Sequence, residues 1–320
     1  MDPIPWRDAW HTALYAAELG FYVTRGGPAA HFTTATHGVT GAVLADALLR
    51  LWGRSHDDPP KVVVDIGAGR GELLTHLLSV ESAVGVDVVD RPEGLDPRIT
   101  WVRSPGGALL PDGLHGLHDA LVIAHEWLDV VPCTIAEVDD RGRLREVLVD
   151  PATGDELLGG DLGPEDAEWA AAHWPDPGPG ERVEVGRTRD AAWADLVSRV
   201  HSGLLVAIDY GHLRANRPTA GTLTAYRAGS LVTPVPDGSC DLTAHVAMDS
   251  LDADELARQR EVLRGLGARA TGPEHARAND DPMGYLRALE RVSAEAELIR
   301  PGGFGDFWWA VKHVKGPDVP

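Results

Sequence analysis

The stretch VVVDIGAGRGEL, residues 62–73, decides the fold that this sequence predicts. It begins as a nearly continuous apolar run that ends at a glycine, which is typical of a strand buried in a parallel sheet. Gly67 and Gly69 then allow the backbone to turn tightly and to approach a ligand closely, where any Cβ would collide. A helix is expected over residues 72–80. The stretch therefore predicts a strand, a ligand-facing glycine loop and a helix in succession.

This glycine pattern fits two kinds of ligand-binding loop. A glycine-rich turn with a helix-capping acid and no ligand is the third possibility. In the dinucleotide fingerprint the third glycine follows the second by three residues, whereas Gly71 follows Gly69 by two. An acid just before the first glycine, here Asp65, is not part of that fingerprint. Both details resemble motif I of class I S-adenosylmethionine (SAM) methyltransferases, so we expect this loop to bind SAM.

A second acid supports a SAM site. Asp87 ends the next predicted strand, residues 83–87, and lies 22 residues after Asp65. A carboxylate at this position can accept hydrogen bonds from both ribose hydroxyls. The segment after the third strand, residues 103–107, lacks an acid for the adenine amino group, so backbone atoms are expected to hold the adenine. The cofactor-binding residues that the sequence predicts are Asp65, Gly67, Ala68, Gly69, Gly71, Asp87, Val88 and His125.

The rest of the chain alternates between predicted helices and strands, as in a parallel sheet with crossover helices. Predicted helices cover residues 6–24, 38–52, 188–201, 252–265 and 283–298, and further strands cover 99–103, 119–124, 204–211 and 304–314. Two stretches interrupt this alternation: residues 133–185, with a hairpin and a Pro/Gly-rich acidic loop at 151–180, and the polar residues 212–250. The predicted organisation is an N-terminal helical cap or lid, residues 1–58, and a core, residues 59–320, that carries both stretches as insertions.

Composition and charge exclude several classes of protein. Of the 320 residues 43% are hydrophobic and 24% are charged, a globular balance, and the net charge of −20 disfavours binding to nucleic acid or to an anionic membrane. The two distant cysteines predict neither a disulfide scaffold nor a zinc site. We find no secretory signal or membrane-spanning stretch and expect a cytoplasmic protein. Only three of the 29 basic residues are lysines, which is typical of a high-GC bacterium.

The fourth predicted strand ends in HEWLDVVP, residues 125–132, at the sheet edge where chemistry is expected in this fold. Methyl transfer from a sulfonium is an in-line displacement, so the enzyme must align the acceptor and, where needed, take its proton. Glu126 and Asp129 suit this task because a carboxylate can orient a guanidinium through paired hydrogen bonds. Capping of a helix N-terminus by these acids is the alternative. The HExxD spacing falls short of the HExxH zinc motif, so no metal is expected.

Five blocks of sequence resemble the MidA-type methyltransferases in order and approximate spacing. They are HEWLDVVP, RLREVLVD (143–150), AIDYGH (207–212), GTLTAYR (221–227) and DLTAHV (241–246), and FTT (32–34) is similar to the mitochondrial members. The resemblance covers roughly residues 20–250. It implies a Rossmann-like class I α/β fold with a mostly parallel seven-stranded sheet, an N-terminal helical cap and inserted segments that cover the substrate. It also implies a SAM-dependent enzyme; the mitochondrial members methylate an arginine of a respiratory complex I subunit.

The resemblance further implies roles for individual residues. Two positions depart from the family pattern: His31 stands where the family has an acid, and Thr36-His37 replaces a Pro-Glu pair. The favoured acceptor is an arginine of a protein or peptide, reached between the N-terminal loop and the second insertion. The resemblance implies catalytic roles for His125, Glu126, Asp129 and His245, and substrate binding by Tyr210, Asp241 and Thr243. Thr34 and His37 are also expected to bind the substrate, because the N-terminal loop that carries them, ending at His37, flanks the expected acceptor cleft.

The sequence leaves other functions open. One is an O- or N-methyltransferase that acts on a small molecule or a natural-product peptide, and another is a non-catalytic assembly factor that keeps the fold. The intact glycine loop and Asp87 count against a non-catalytic role, because a protein that only binds a partner has no need of that backbone. The oligomeric state is also open, a homodimer included.

Overall fold

A computed structural model describes residues 2–24, 35–275 and 277–316 of the chain. His31 and Thr34 lie outside these described residues. The α-helices in the described ranges are α1 (Trp6–Tyr15), α2 (Phe21–Thr24), α3 (Gly38–Trp52), α4 (Glu72–Thr75), α5 (Pro164–His173), α6 (Arg187–Ser198), α7 (Gln259–Gly265), α8 (Arg277–Asp280) and α9 (Pro282–Ile299). The strands are β1 (Ile4–Pro5), β2 (Val62–Ile66), β3 (Ser82–Asp87), β4 (Ile99–Arg103), β5 (Ala120–His125), β6 (Thr134–Val138), β7 (Leu144–Val149), β8 (Glu156–Asp161), β9 (Arg182–Val185), β10 (Gly203–Asp209), β11 (Gly211–His212), β12 (Thr224–Arg227), β13 (Ser230–Val232), β14 (Asp241–Thr243), β15 (Val246–Ala247), β16 (Glu255–Arg258) and β17 (Trp308–Val314).

The central sheet has seven strands in the order β16-β17-β10-β5-β2-β3-β4. The run from β10 to β4 is parallel, whereas β17 pairs antiparallel with both β10 and β16. The predicted α/β class is confirmed, and the sheet is mixed at its β16-β17 edge. From β2 the chain proceeds outward to β3 and β4, and then returns to place β5 on the other side of β2. This reversal opens a crevice at the carboxyl ends of β2 and β5, where ligands bind in folds of this kind.

Helices cover both faces of this sheet. One face packs against α3, α7 and α9 through residues such as Leu44, Leu263 and Leu298. The other packs against α6 through Trp193 and Leu196. All residues of β5 and β10 are buried, which explains why their sequences are continuous apolar runs rather than alternating ones. The buried strands β5 and β10 at the centre of the sheet therefore end at the crevice.

A second sheet, in the order β1-β7-β6-β9 with β8 paired to β7, arises from the first insertion and the N-terminus. The predicted hairpin is confirmed as β6 and β7, which turn through Gly142 at a φ of +75°. The prediction of a loop over residues 151–180 is wrong, because β8 and the ten-residue helix α5 lie within it. Trp169 of α5 packs against the backbone at Gly186, where a Cβ would lie 2.8 Å from the indole, and it shares an apolar cluster with Val183 and Val185, so α5 covers β9.

Three predicted helices differ from the observed ones. The helix expected over residues 6–24 is broken into α1 and α2, because Ala16 is extended, with a ψ of 138°, and the chain turns before α2 begins at Phe21. The helix expected over 72–80 ends at Thr75, and residues 255–258 of the helix expected over 252–265 form the edge strand β16. In β16 the Arg258 guanidinium stacks 3.9 Å from the ring of Trp308, across the pair with β17. No helix among the described residues combines the length and apolarity needed to cross a membrane.

The N-terminal helices and the second insertion meet above the crevice. The second insertion, residues 212–250, contains a three-stranded sheet, β13-β12-β14, here named the insertion sheet. Two hydrogen bonds join it to the N-terminal helices: the Trp10 indole donates to the carbonyl oxygen of Leu242 at 3.1 Å, and the Tyr22 hydroxyl donates to Asp241 at 2.6 Å. A separate apolar cluster beneath them includes Trp6, Trp10 and Leu242. Both segments are therefore fixed over the strand ends.

Candidate active site

A cavity of about 760 Å³ lies at the carboxyl ends of β2, β3, β5 and β10, within the size range of small-molecule sites. Its floor is the glycine loop between β2 and α4 together with the strand ends. Its walls come from the N-terminal helices, the insertion sheet and the segment between α9 and β17. Residues that line it include Tyr15, Tyr22, His37, Asp65, Gly67, Ala68, Gly69, Glu72, Asp87, Val88, His125, Glu126, Asp129, Tyr210, Asp241, Thr243, His245, Arg300 and Phe307.

Two glycines of the loop face this cavity. Gly67 and Gly69 have φ values of +72° and +59°, in the left-handed region that favours glycine. A Cβ on Gly69 would project into the cavity, with only Glu72 Oε2 within 4 Å, so a side chain there would fill space that a ligand could use. Gly71 differs: it is not among the lining residues, and its Cβ would lie 2.8 Å from the side chain of Leu95. The other seven predicted cofactor-binding residues line the cavity, whereas Gly71 serves packing.

The amides of the glycine loop are all donated within the protein. Gly67 and Ala68 donate to the carbonyl oxygen of Val86 at 2.9 and 3.2 Å, and Gly71 donates to that of Ala68 at 2.7 Å. Gly69 donates to Asp87 Oδ2 at 2.8 Å and Arg70 to Glu72 Oε2 at 3.1 Å. Phosphate-binding loops instead point their amides at the ligand. This arrangement disfavours the dinucleotide interpretation of the loop.

Three carboxyl groups surround the loop. Desolvation in the cavity raises the pKa of Asp65 to about 8, and the charges of Asp87 and Glu72 add to this shift. Desolvation also raises the pKa of Asp87 to about 6, against the hydrogen bonds from the Gly69 and Val89 amides that lower it. Each Asp87 oxygen accepts one amide and has a second lone pair. A ribose with two hydroxyls fits this carboxylate, and a positively charged ligand fits the group of three.

Glu126 begins the other half of the cavity. Its φ of +51° is unusual for a residue with a side chain, and its amide donates to the carbonyl oxygen of Ile208 at 2.9 Å, so β10 holds it in this conformation. Desolvation raises the pKa of Glu126 to about 8, with further contributions from Asp129 and Asp241. Its Oε1 lies 3.3 Å from Nδ1 of His125, yet this buried atom has no hydrogen-bond partner among the described residues. Burial lowers the pKa of His125 to about 4, so its imidazole is neutral.

Asp129 belongs to a compact group of oxygens. Its Oδ2 accepts hydrogen bonds from the hydroxyls of Tyr210 and Thr243, the latter at 2.6 Å, and these two hydroxyls are 2.8 Å apart. Burial raises the pKa of Asp129, while the two hydrogen bonds oppose that shift. Its Oδ1 is buried without a hydrogen-bond partner in the described part of the chain. Asp209 fixes the backbone here, because its Oδ2 accepts the amides of Leu128 and Asp129 at 3.0 and 3.1 Å.

The insertion sheet supplies the roof over these acids. Asp241 lies two residues before Thr243 on β14, and desolvation raises its pKa to about 7, in spite of the hydrogen bond from Tyr22. The ring of His245 lies 5.4 Å from that of Tyr210, and desolvation lowers the pKa of this histidine. The structure therefore brings together Glu126, Asp129, His125, His245, Tyr210, Asp241 and Thr243, as expected from the sequence.

His37 lies elsewhere in the cavity. Its Nε2 is 3.3 Å from Glu72 Oε1, beside the glycine loop, rather than among the acids at the end of β5. Thr34, the remaining predicted substrate-binding residue, falls outside the described residues. Among the described residues no group of three or more His, Cys, Asp or Glu side chains could hold a metal ion.

Arg189 supports the site and was missed by the sequence analysis. Its buried guanidinium donates to the carbonyl oxygens of Asp129, Val131 and His245 at 2.9, 3.0 and 2.8 Å. It therefore ties the end of β5 to the end of the insertion sheet. No sequence signal marks it, because an arginine in the amphipathic helix α6 is ordinary. Tyr15 and Phe307, which also line the cavity, were missed as well. Phe307 begins the run FWW, residues 307–309, which by itself indicates only a buried strand.

Comparisons with known proteins show the family to which the chain belongs. A family model described as "Putative S-adenosyl-L-methionine-dependent methyltransferase" matches residues 92–266, more than half of the chain. The match includes the ends of β5 and β10 and the insertion sheet, and it begins after the glycine loop. No curated protein matches the chain.

Two solved structures from Burkholderia thailandensis are similar in fold. One is the native crystal structure of an uncharacterized protein; it is 22% identical, with a TM-score of 0.72, over 98% of this chain and 88% of that one. The other is a complex with S-adenosyl-homocysteine (SAH), with the same identity and TM-score, over 98% of this chain and 89% of that one. Together with the family match, these likenesses confirm the resemblance to MidA-type enzymes. The chain belongs to this family of SAM-dependent methyltransferases and uses SAM as its cofactor.

Proposed function

We propose that this methyltransferase acts on a side chain of a protein or peptide, and that the acceptor is the guanidinium of an arginine. The observation that carries the proposal is a pair of buried oxygens, Glu126 Oε1 and Asp129 Oδ1, which line one cavity without hydrogen-bond partners among the described residues. A buried acceptor left without a donor is costly. A guanidinium presents several N–H groups in a planar fork and can donate to both carboxyl groups at once.

The cofactor would occupy the half of the cavity around the glycine loop. Asp87 would accept the ribose hydroxyls, and Gly67 and Gly69 would let the ligand approach the backbone closely. Val88 would lie against the adenosine, and Ser104 and the glycines after β4 line the wall near it. When bound, SAM supplies an electrophilic methyl group on a sulfonium.

Glu126 is the proposed base. The acceptor nitrogen would take the methyl group as the bond from that carbon to sulfur breaks, and the cofactor would leave as a neutral thioether. The nitrogen gives up a proton, which Glu126 takes. Desolvation gives Glu126 a pKa of about 8, which matches a base that works near neutral pH, and a bound cation would favour its ionised form.

Asp129 is proposed to orient the acceptor rather than to take the proton. The Tyr210 and Thr243 hydroxyls occupy its Oδ2 and thereby aim Oδ1. Asp209 and Arg189 hold the backbone of the same turn, so its position is fixed before the acceptor arrives. Preorganised groups of this kind contribute to catalysis because they need no rearrangement during the reaction.

The test measures methylation of the acceptor and binding of the cofactor in separate experiments. The parent protein, Glu126→Gln and a control, Glu81→Gln at an exposed position, are incubated with labelled SAM and a protein extract of the source organism. We expect label on arginine side chains, lowered about 100-fold in Glu126→Gln and unchanged in the control. Titration calorimetry with SAH should give all three proteins the same affinity within about twofold.

Three results would contradict the proposal. Label found only in small molecules would exclude a protein or peptide acceptor. Label on a carboxylate or hydroxyl would exclude arginine. A Glu126→Gln variant that loses SAH affinity together with turnover would move Glu126 into the cofactor site.

A further inference from the structure

The contact between His37 and Glu72 lies at the glycine-loop end of the cavity. Glu72 is the first residue of α4, directly after the loop, and His37 precedes the first residue of α3. The two helices are packed closely here: a Cβ on Gly41 of α3 would lie 3.3 Å from the His76 side chain at the end of α4. The His37 and Glu72 side chains are 32% and 24% exposed, and both line the cavity. The backbone therefore holds a basic and an acidic group side by side beside the loop.

The cofactor that is proposed to bind in the glycine-loop half of the cavity carries two opposite charges at one end. SAM and SAH each end in an α-amino acid, which carries an ammonium and a carboxylate. The ammonium has ready partners, since Asp65, Glu72 and Asp87 surround the loop. The carboxylate has none in the loop backbone, because all five amides of residues 67–71 are already donated within the protein. A side chain must meet it.

Among the described residues that line the cavity, His37, His125, His245 and Arg300 have side chains that can carry a positive charge. Burial keeps His125 neutral, with a pKa of about 4, and His245 packs on Tyr210 in the other half. Arg300 forms a salt bridge at 2.9 Å with Glu297 in the wall that follows α9. His37 is the group of these four that lies beside the glycine loop.

We propose that His37 and Glu72 bind the amino-acid end of the cofactor, with the His37 imidazole donating to the carboxylate and Glu72 accepting from the ammonium. A zwitterionic amino acid fits this pair, because Glu72 can meet its ammonium and His37 can meet its carboxylate. A half-exposed pair of this kind contributes little stability by itself, so exchange of partners for the ligand is easy. The assignment rests on the cofactor position proposed above, and it gives His37 a cofactor role in place of the acceptor role that was expected from the sequence.

The test compares two ligands that differ in this end alone. SAH carries the amino acid, whereas 5′-methylthioadenosine keeps the adenine, the ribose and the thioether sulfur without it. Titration calorimetry measures both ligands on the parent, His37→Ala, His37→Gln, Glu72→Gln and a control, His115→Ala, at an exposed histidine outside the cavity. We expect His37→Ala to weaken SAH about 10- to 100-fold, the range of a charge-assisted hydrogen bond, and to leave 5′-methylthioadenosine within about twofold.

The other variants sharpen the result. His37→Gln keeps an N–H donor without a charge and should lose less SAH affinity than His37→Ala, and Glu72→Gln should also weaken SAH selectively. Equal losses for both ligands would mean that His37 only supports the loop, and no loss for either would remove it from the site; both results overturn the inference. A parent that binds neither ligand would overturn the cofactor site and the inference with it. Failure of the arginine proposal would instead appear only in the labelling experiment and would leave the difference between the two ligands intact.

Discussion

Asp87→Asn is the substitution that tests the cofactor site most directly. The Asp87 carboxylate accepts the Gly69 amide at 2.8 Å through one oxygen and the Val89 amide at 3.2 Å through the other. An asparagine has one oxygen and one NH₂ group, so it must turn a donor toward one of these amides and can no longer offer a charged acceptor to the ribose. Loss of the charge-assisted bonds and of one amide partner should cost about 2–3 kcal/mol in SAH binding, roughly 30- to 150-fold in Kd.

Calorimetric titration with SAH at pH 8 measures this loss, and Asp90→Asn is the control because Asp90 is exposed and pairs with Arg103 at 3.0 Å. Since the pKa of Asp87 is about 6, part of the parent's affinity should also disappear as the pH is lowered from 8 to 5, when the carboxyl becomes neutral. That part should be missing from Asp87→Asn. An Asp87→Asn protein that binds SAH as tightly as the parent would refute the assignment of Asp87 to the ribose.

Two further predictions concern stability. Arg189→Met should lower the free energy of unfolding by about 2–4 kcal/mol, because three carbonyl oxygens lose their donor, two of them in buried hydrogen bonds. Urea unfolding measures this loss, with Arg141→Met at an exposed position as the control, and an unchanged midpoint would contradict the role given to Arg189. The pKa values of Asp65 and Glu126 (about 8) and of Asp241 (about 7) lie above their ordinary values, so the folded state holds these protons more tightly than the unfolded state does. The stability of the ligand-free protein should therefore fall as pH rises from about 6 to 9, and it should fall less steeply in Glu126→Gln. A midpoint of thermal unfolding that rises over this pH range would contradict this prediction.

The central part of the fold could be predicted from local sequence. The apolar runs of β2 and β5 are long enough to define buried strands, and α3 begins and ends at the predicted residues, Gly38 and Trp52. The predicted helices are wrong where contacts between distant parts of the chain determine the secondary structure. Residues 255–258 become a strand because the edge of β17 is available to pair with them, and α2 separates from α1 so that Tyr22 can reach Asp241, 219 residues later.

The candidate site shows the same division. Residues in sequence motifs, such as Glu126 and Asp87, line the cavity because strand ends meet at one edge of a parallel sheet. Arg189 could not be found in this way, since its contact with Asp129 joins residues 60 apart through tertiary packing alone. Gly71 was predicted with the loop glycines because its spacing is right, but the position of its neighbour Leu95 is not visible in the sequence.

The distribution of acids supports a binding role for the cavity independently of any family. Outside it, some carboxyl groups near the surface have partners that lower their pKa: Arg98 beside Asp96, where the pKa is about 2, and Lys61 beside Asp119. Inside it, desolvation raises the pKa of Asp65, Glu126 and Asp241, so ionising these groups destabilises the folded protein. Folding alone would favour apolar residues at these three positions. Because Asp65, Glu126 and Asp241 line the same cavity, we attribute their presence to ligands that neutralise them: the sulfonium and ammonium of SAM on one side and the proposed guanidinium acceptor on the other.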